Sequence, residues 1–521
     1  MLRGIIVGVA AAFLAIAGAA GAGESPKFAA PRLVAGVETS AFLQEVGAAD
    51  VTGDGNVDVV VTRIDPAGQQ LEPITILAGD GKGHFSDRTA QILGGAVPKT
   101  LWARRTLFGD FNGDGRQDVF IADTGPDKQP FAGYPNTLLL SSPSGKLVDA
   151  SANLPRQPDF THSAGVGDVD GNGTLDIYAG NLEESGTGGT EVSPEVLLND
   201  GTGHFAVEAG GLPADVAGPF APHYDGSALA DVTGDGRPDL VLAGSPGTSS
   251  RVLVNDGSGR FAALPNAIPP KPWDQSAEGL AVAAVELNGD GHLDLLMGYT
   301  KNNPFYVGRW IQVLINNGDG TFRDETSTRL PQSDNSGVWP YSIQVADLNG
   351  DHKLDIGVSL FAYPTQAPPF YLNRGDGTFA PMPRNAFVSP TPQMFALLDA
   401  NRDGHVDIFG STFAASGGPE EHYLVEQLER PGRVGAAKAS HGTFRDRVRI
   451  SWRAVPQAAR YEVWRSLGGK RKSVGTTSST RFDDRRARKV VRYRYFVRAT
   501  NRAGAGPFSS AGVGYRRAPK R

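Results

Sequence analysis

The chain has no cysteine among its 521 residues. That excludes disulfide cross-links and a lipid-modified N-terminal cysteine, so an exported form must fix its loops some other way, and bound cations would serve. Beyond the N-terminal segment no stretch is long and apolar enough to cross a bilayer. No heptad or 3.6-residue apolar run stands out. Common catalytic signatures are missing as well: none of the 9 histidines lies in His-Glu-x-x-His, and there is no Gly-x-Ser-x-Gly, Walker loop or Rossmann strand-turn-helix. His162 and Ser163 are neighbours, but adjacent residues on a strand face opposite ways. Any active site would have to be assembled from distant residues.

What the chain does have is glycine (67) and proline (36), the composition of many short strands joined by turns. Met1–Ala22 reads as a secretory signal, with Arg3, an apolar run from Ile5 to Ala17 and a small-residue cleavage site at Ala20-Gly21-Ala22. The expected location is therefore secreted, extracellular or periplasmic. The net charge of −6 hides a division, because residues 432–521 hold 24 of the 50 basic residues but 4 of the 56 acidic ones. An acidic domain over 23–431 and a basic one over 432–521 follow.

The organising stretch is DFNGDGRQD, Asp110 to Asp118. Its counterparts begin at Asp50, Asp168, Asp231, Glu286, Asp347 and Asp399, spaced by 52 to 63 residues. The odd positions carry oxygen: Asp110, Asn112, Asp114, the carbonyl of Arg116, and Asp118. The same places are held by Asp50, Thr52, Asp54, Asn56 and Asp58; Asp168, Asp170, Asn172, Thr174 and Asp176; and Asp231, Thr233, Asp235, Arg237 and Asp239. They continue with Glu286, Asn288, Asp290, His292 and Asp294; Asp347, Asn349, Asp351, Lys353 and Asp355; and Asp399, Asn401, Asp403, His405 and Asp407. Three carboxylates brought within about 4 Å repel by roughly 4 kcal/mol per pair at an effective dielectric near 20, so a hard cation between them, calcium, is expected. An EF-hand is excluded, because the twelfth position is Val61, Ile121 or Ala179 and strands follow the loops. Copies depart from the pattern at Thr52, Thr233, Asn172 and Glu286, and at His352, which stands where glycine is expected.

Each period reads as four strands, the third and fourth joined by turns such as NDGTGHF, ending at Phe205, and NDGSGRF, ending at Phe261. Arg374-Gly375-Asp376 lies in such a turn, which explains it structurally. After Asp407 no fourth strand is apparent, and Phe28-Ala29-Ala30-Pro31 is expected to supply it from the N-terminus. Tandem Asp-x-Asn-Gly-Asp-Gly-x-x-Asp loops, each followed by Leu-x-Asn-x-Gly-x-Gly-x-Phe, resemble the FG-GAP/VCBS repeats of integrin α-subunit-type propellers from about Lys27 to Pro431. The resemblance implies an all-β fold, a seven-bladed β-propeller with calcium between the first and second strands of each blade.

In the basic part, Val448-Arg449-Ile450-Ser451-Trp452, Tyr461-Glu462-Val463 and Tyr493 to Ala499 alternate with period two, as strands of a β-sandwich do. They resemble a fibronectin type III domain, with Trp452 as core tryptophan and Tyr493 as corner tyrosine. The arginines on outward positions and at 485–489 are either an ordinary solvated surface or a seat for an anionic partner: an acidic polysaccharide, an envelope polymer or the chain's own acidic part. No nucleic-acid reading motif is present.

A ligand site is expected on the face away from the loops, where Trp102, Arg104, Arg105, His162, His223, Tyr224, Trp273, Asp274, Trp339 and Tyr341 fall. Aromatic rings beside polar groups suit sugars or a protein hot spot. The expected function is a calcium-binding adhesion or carbohydrate-binding module without catalysis. The alternatives are a polysaccharide lyase or hydrolase on the same scaffold, and a passive envelope spacer.

Overall fold

The computed structural model describes residues 26–34, 41–65, 67–155, 158–182, 192–218, 221–273, 276–330, 339–361, 369–388, 394–411 and 421–518. The signal expected at Met1–Ala22, and Asp274, lie outside these.

The chain forms two compact units. The larger contains seven four-stranded antiparallel sheets among the described residues. The first joins Phe42–Ala49, Asp58–Ile64, Thr75–Gly79 and Phe85–Asp87 in sequence order. The next five begin with Ala103–Gly109, Thr161–Gly167, Gly226–Ala230, Ala277–Val285 and Trp339–Ala346. The seventh pairs Met394–Leu398, Asp407–Ser411 and His422–Val425 with Arg32–Leu33.

Second strands are apolar runs rather than alternations, because both faces are covered: every residue of Asp58–Ile64 and of Asp118–Asp123 is buried. The apolar clusters of this unit bridge neighbouring sheets. Val60 and Ile76 of the first meet Val119 and Leu139 of the second, and Val241 and Leu295 join the fourth to the fifth. The succession closes on itself, with Leu43, Val59 and Val61 of the first sheet packed with Met394, Phe409 and Leu424 of the seventh. Full burial of one such side chain stabilises by about 1.5–3 kcal/mol. The sheets approach closely where the first strands meet, and a Cβ on Gly47 would lie 2.6 Å from the Phe108 ring. The repeated sheets are those of a β-propeller.

The strand completing the seventh sheet differs from the expected Phe28–Pro31. Arg32 pairs with Leu424 and Leu33 with Tyr423. Phe28 is fully buried, stacks on Phe387 at 4.7 Å and pairs with Gln427 in the smaller unit. Pro31, which has no N–H for a ladder, separates the two pairings.

That smaller unit comprises Ser25–Ala30, Asn385–Ser389 and Glu426–Arg521. It has a three-stranded sheet (Lys438–Ala439, Val448–Ser451, Arg481–Asp484) and a larger one built on Lys470–Thr477, Arg460–Leu467 and Tyr493–Asn501. One core of Val448, Ile450, Trp452, Tyr461, Val463, Tyr495 and Val497 lies between them. The Tyr493 hydroxyl accepts the N–H of Arg488 at 3.4 Å.

Candidate functional site

The acidic loops join first to second strands at one end of each sheet. In the loop at Asp110, Oδ1 of Asp110 accepts the N–H of Asp114 (3.0 Å) and Oδ2 that of Gly115 (2.8 Å). Asp50, Asp231, Asp347 and Asp399 hold the fourth and fifth residues after them in the same way. Two residues per loop take a left-handed backbone, at the fourth and sixth positions, such as Gly113 (φ 73°) and Gly115 (φ 80°). His352 keeps this conformation at φ 65°, and so does Arg402 at φ 57°, a departure the sequence pattern had hidden.

The fifth-position acids also close the turn: Asp114, Asp235, Asp351 and Asp403 each accept the N–H two residues on. The ninth-position acids are fully buried, and Asp58, Asp118, Asp176, Asp239, Asp294 and Asp355 tie their loops to the third strand. Asp118 accepts the N–H groups of Phe111 (2.7 Å) and Ser141 (2.6 Å), and Asp176 those of Val169 and Asn199, both at 2.8 Å. Burial pushes Asp58, Asp176 and Asp294 up to about 6 and Asp355 to about 8.

Among the described residues, one loop gathers three carboxylates closely enough to share an ion. Oxygen atoms of Asp168, Asp170 and Asp176 lie within 4.8 Å of one another. The reason is the third position, which is Asp170 here and Asn or Thr elsewhere. An all-oxygen donor set fits a hard cation. The Asp170 and Asp168 charges also raise Asp176, after burial, and a cation would relieve that repulsion.

At the opposite ends of the first strands a small cavity of about 20 Å³, opening to the surface, is lined by Arg104, Arg105, His162, Asp225, Leu280, Tyr306, Trp339, Pro340 and Tyr341. Five of the ten ligand candidates, Arg104, Arg105, His162, Trp339 and Tyr341, therefore meet. Trp102, Tyr224 and Trp273 do not line it. Trp102 packs on the Gly68 turn, its indole N–H donating to the Gly68 carbonyl at 3.2 Å. Tyr224 is 2% exposed and belongs to the core with Leu229 and Leu240. Trp273 packs against Trp310 at 6.2 Å under the Lys301 ammonium. Asp225 and Tyr306 escaped the sequence reading, since nothing local distinguishes them from core or loop residues.

Inside the cavity Arg104 pairs with Asp127, and Arg105 donates to the carbonyls of Arg104 (2.7 Å) and Leu280 (2.9 Å). The rings of Tyr306 and Trp339 stand 4.7 Å apart. His162 and Asp225 face each other at 3.8 Å, too far for a hydrogen bond. Burial first, then the Arg104 charge, holds His162 well below its usual value, so the ring is neutral. Burial raises Asp225 to about 6. Three buried atoms here have no hydrogen-bond partner: Arg104 Nε, His162 Nε2 and Asp225 Oδ1.

Residues 50–121, 110–179, 231–297 and 287–358 match the FG-GAP-like repeat family. These stretches are FG-GAP-like repeats. The repeats carry the loops at Asp50, Asp110, Asp168, Asp231, Glu286 and Asp347. No curated protein matches the chain. Among solved structures it is similar to an Agrocybe aegerita lectin described as recognising non-reducing terminal N-acetylglucosamine, at 20% identity over 65% of this chain and 79% of that one, with a TM-score of 0.41. It is also similar to a Fn3-like protein from Clostridium thermocellum, at 21% identity over 18% of this chain and 100% of that one, with a TM-score of 0.16.

Proposed function

We propose that the chain is an exported, calcium-stabilised, seven-bladed propeller acting as a binding or adhesion module, with a fibronectin type III-like domain at residues 432–521, and that it takes a glycan at the mouth of the cavity beside Arg104. The unpartnered buried atoms carry this reading. Arg104 Nε–H can only donate, ionised Asp225 Oδ1 can only accept, and His162 Nε2 does either according to tautomer. A hydroxyl donates and accepts at once, so a sugar lying at the cavity mouth with one hydroxyl reaching in suits these groups. A simple anion meets Asp225, and a simple cation meets Arg104. Tyr306 and Trp339 supply the apolar walls on which a sugar ring packs.

Calcium is supported by the Asp168, Asp170 and Asp176 oxygens and by the recurrence of the loops. The seven sheets that close on the first support the blade number. The fibronectin-like reading draws on the two-sheet core around Trp452 and the Tyr493 contact with Arg488. Glycan arrays and pull-downs, with and without calcium, test the proposal. Binding that is lost in Trp339→Ala and Asp225→Asn is expected; absence of any bound glycan or protein under both conditions would sink it. A second reading, a polysaccharide lyase or hydrolase, is favoured by the neutral His162 beside Asp225, which could move a proton. New reducing ends or unsaturated products after incubation with polysaccharides would establish it.

A further inference from the structure

The smaller unit holds a one-sided charge surplus that its own carboxylates do not offset. Residues 441–449, 483–492 and 515–517 meet at one place, joined through the backbone. The Gly442 N–H donates to Tyr515 (2.8 Å), that of Val490 to Arg516 (3.1 Å) and that of Arg517 to Phe444 (2.8 Å). Arg516 completes the junction, its guanidinium donating to the carbonyls of Arg445 at 2.7 Å and Ala487 at 2.9 Å. These segments contain ten Arg or Lys against three Asp.

The acids are already committed. Asp484 is buried and accepts from Arg465 (2.7 Å) and from the Tyr495 hydroxyl (3.0 Å). Asp446 takes Arg447 (3.0 Å) and Arg485 (2.7 Å). Asp483 takes Arg449 through two parallel bonds of 2.8 and 3.0 Å. Arg445, Arg486, Arg488, Lys489, Arg492 and Arg517 are left exposed, with no carboxylate in ion-pair distance among the described residues. Six uncompensated cations on one surface repel one another and concentrate anions around it.

We infer that this surface binds a linear polycarboxylate polysaccharide of the polyuronate type. The parallel bonds from Arg449 to Asp483 show the fork geometry in which guanidinium groups there receive a carboxylate. A polymer with one carboxylate per sugar offers such groups in series. Nucleic acid fits less well, because the aromatic faces that could stack bases are covered. Phe444 lies under Arg447 (4.2 Å) and Arg449 (4.9 Å), and Tyr515 under Arg492 (5.4 Å). A lipid surface fits less well too, since Val490 is the sole large apolar side chain exposed among these segments.

The inference is independent of the propeller cavity, and its test uses the full chain. Polygalacturonate is titrated at 50 and 200 mM salt, beside dextran, single-stranded DNA and phosphatidylglycerol vesicles. Polygalacturonate should bind, weakening about tenfold or more between the two salt levels as released counterions dictate. The triple variant Arg486→Ser, Arg488→Ser, Lys489→Ser removes side chains that make no hydrogen bond or ion pair among the described residues, and should lose at least about tenfold in affinity. Arg460→Ser with Lys470→Ser, on the larger sheet, should bind as the parent does. Absence of polygalacturonate binding at 50 mM salt, an unaffected triple variant, or tighter binding of the DNA or the vesicles would each overturn the inference.

Discussion

Asn199 donates from its side-chain amide to the carbonyl of Phe111, 2.8 Å away and one sheet earlier. Asn255 reaches Val169 (3.0 Å) and Asn316 reaches Val232 (2.8 Å) in the same manner. In each case the acceptor is the second residue of the preceding acidic loop. The asparagine oxygen meanwhile accepts the turn's own N–H groups, as from Gly201 and Gly203 to Asn199, both at 3.1 Å. One side chain thus holds its own hairpin and the neighbouring loop together.

Asn199→Ala should therefore destabilise the propeller by roughly 2–3 kcal/mol, since it strands the buried carbonyl of Phe111. Asp200→Ala, one residue on and exposed, should change stability by less than about 1 kcal/mol. Urea denaturation of the two variants checks the contrast; equal losses would remove the bridge from the account.

Chelation should lower thermal stability. With millimolar calcium and a dissociation constant of roughly 10⁻⁴ M, each filled site adds about 1 kcal/mol. Melting with calcium and with a chelator measures the difference, and Asp170→Asn should narrow it by breaking the carboxylate trio at Asp168. Identical melting curves would mean that the loops hold themselves by hydrogen bonds alone.

Buried Asp159 is pushed up to about 8, by burial first and then by Glu195. Its Oδ1 has no partner, while Oδ2 accepts from Asn136 at 2.9 Å. A carboxyl whose folded value exceeds the unfolded one supports the fold fully below about pH 4, and that support is lost as pH rises through about 8. Asp159→Asn should then match the parent at pH 4 and exceed it by roughly 1–3 kcal/mol at pH 8.5. Denaturation midpoints at the two pH values decide it.

His352→Gly should stabilise by up to about 1 kcal/mol, because only glycine takes a φ of 65° without strain. The ring gives up little, its Nδ1 standing 4.0 Å from Asp347. A lowered denaturation midpoint would show that the ring contributes more than its backbone strain removes.

Much of the larger unit was legible because each repeat needs the same local chemistry. A left-handed turn requires glycine and a buried loop end requires a carboxylate, so Gly113, Gly115 and Asp118 mark the strand boundaries on either side of them. The role of that carboxylate was less legible. A metal ligand and an acceptor of backbone N–H groups both call for aspartate, and Asp118 is seen taking Phe111 and Ser141. Arg402 hid a left-handed position because arginine is not a residue one seeks there. The cavity was half visible: Arg104, His162, Trp339 and Tyr341 stand at or near strand starts that the period locates, whereas Tyr306 comes from a connection between second and third strands, and Asp225, one residue before Gly226, is an acid with no local mark of its place. Phe28 misled through its likeness to Phe261, for it packs on Phe387 instead.

Arg32 and Leu33 pair with residues almost four hundred positions later in the chain. At about 5–20 residues per second, a ribosome takes roughly 20–80 s to deliver that partner. Throughout synthesis the opening segment must wait without its mate, and the circle latches only when the last of its sheets has emerged. A single cut between that latch and the body would leave every repeat intact and turn the pairing of Arg32 and Leu33 from an intramolecular contact into a bimolecular one.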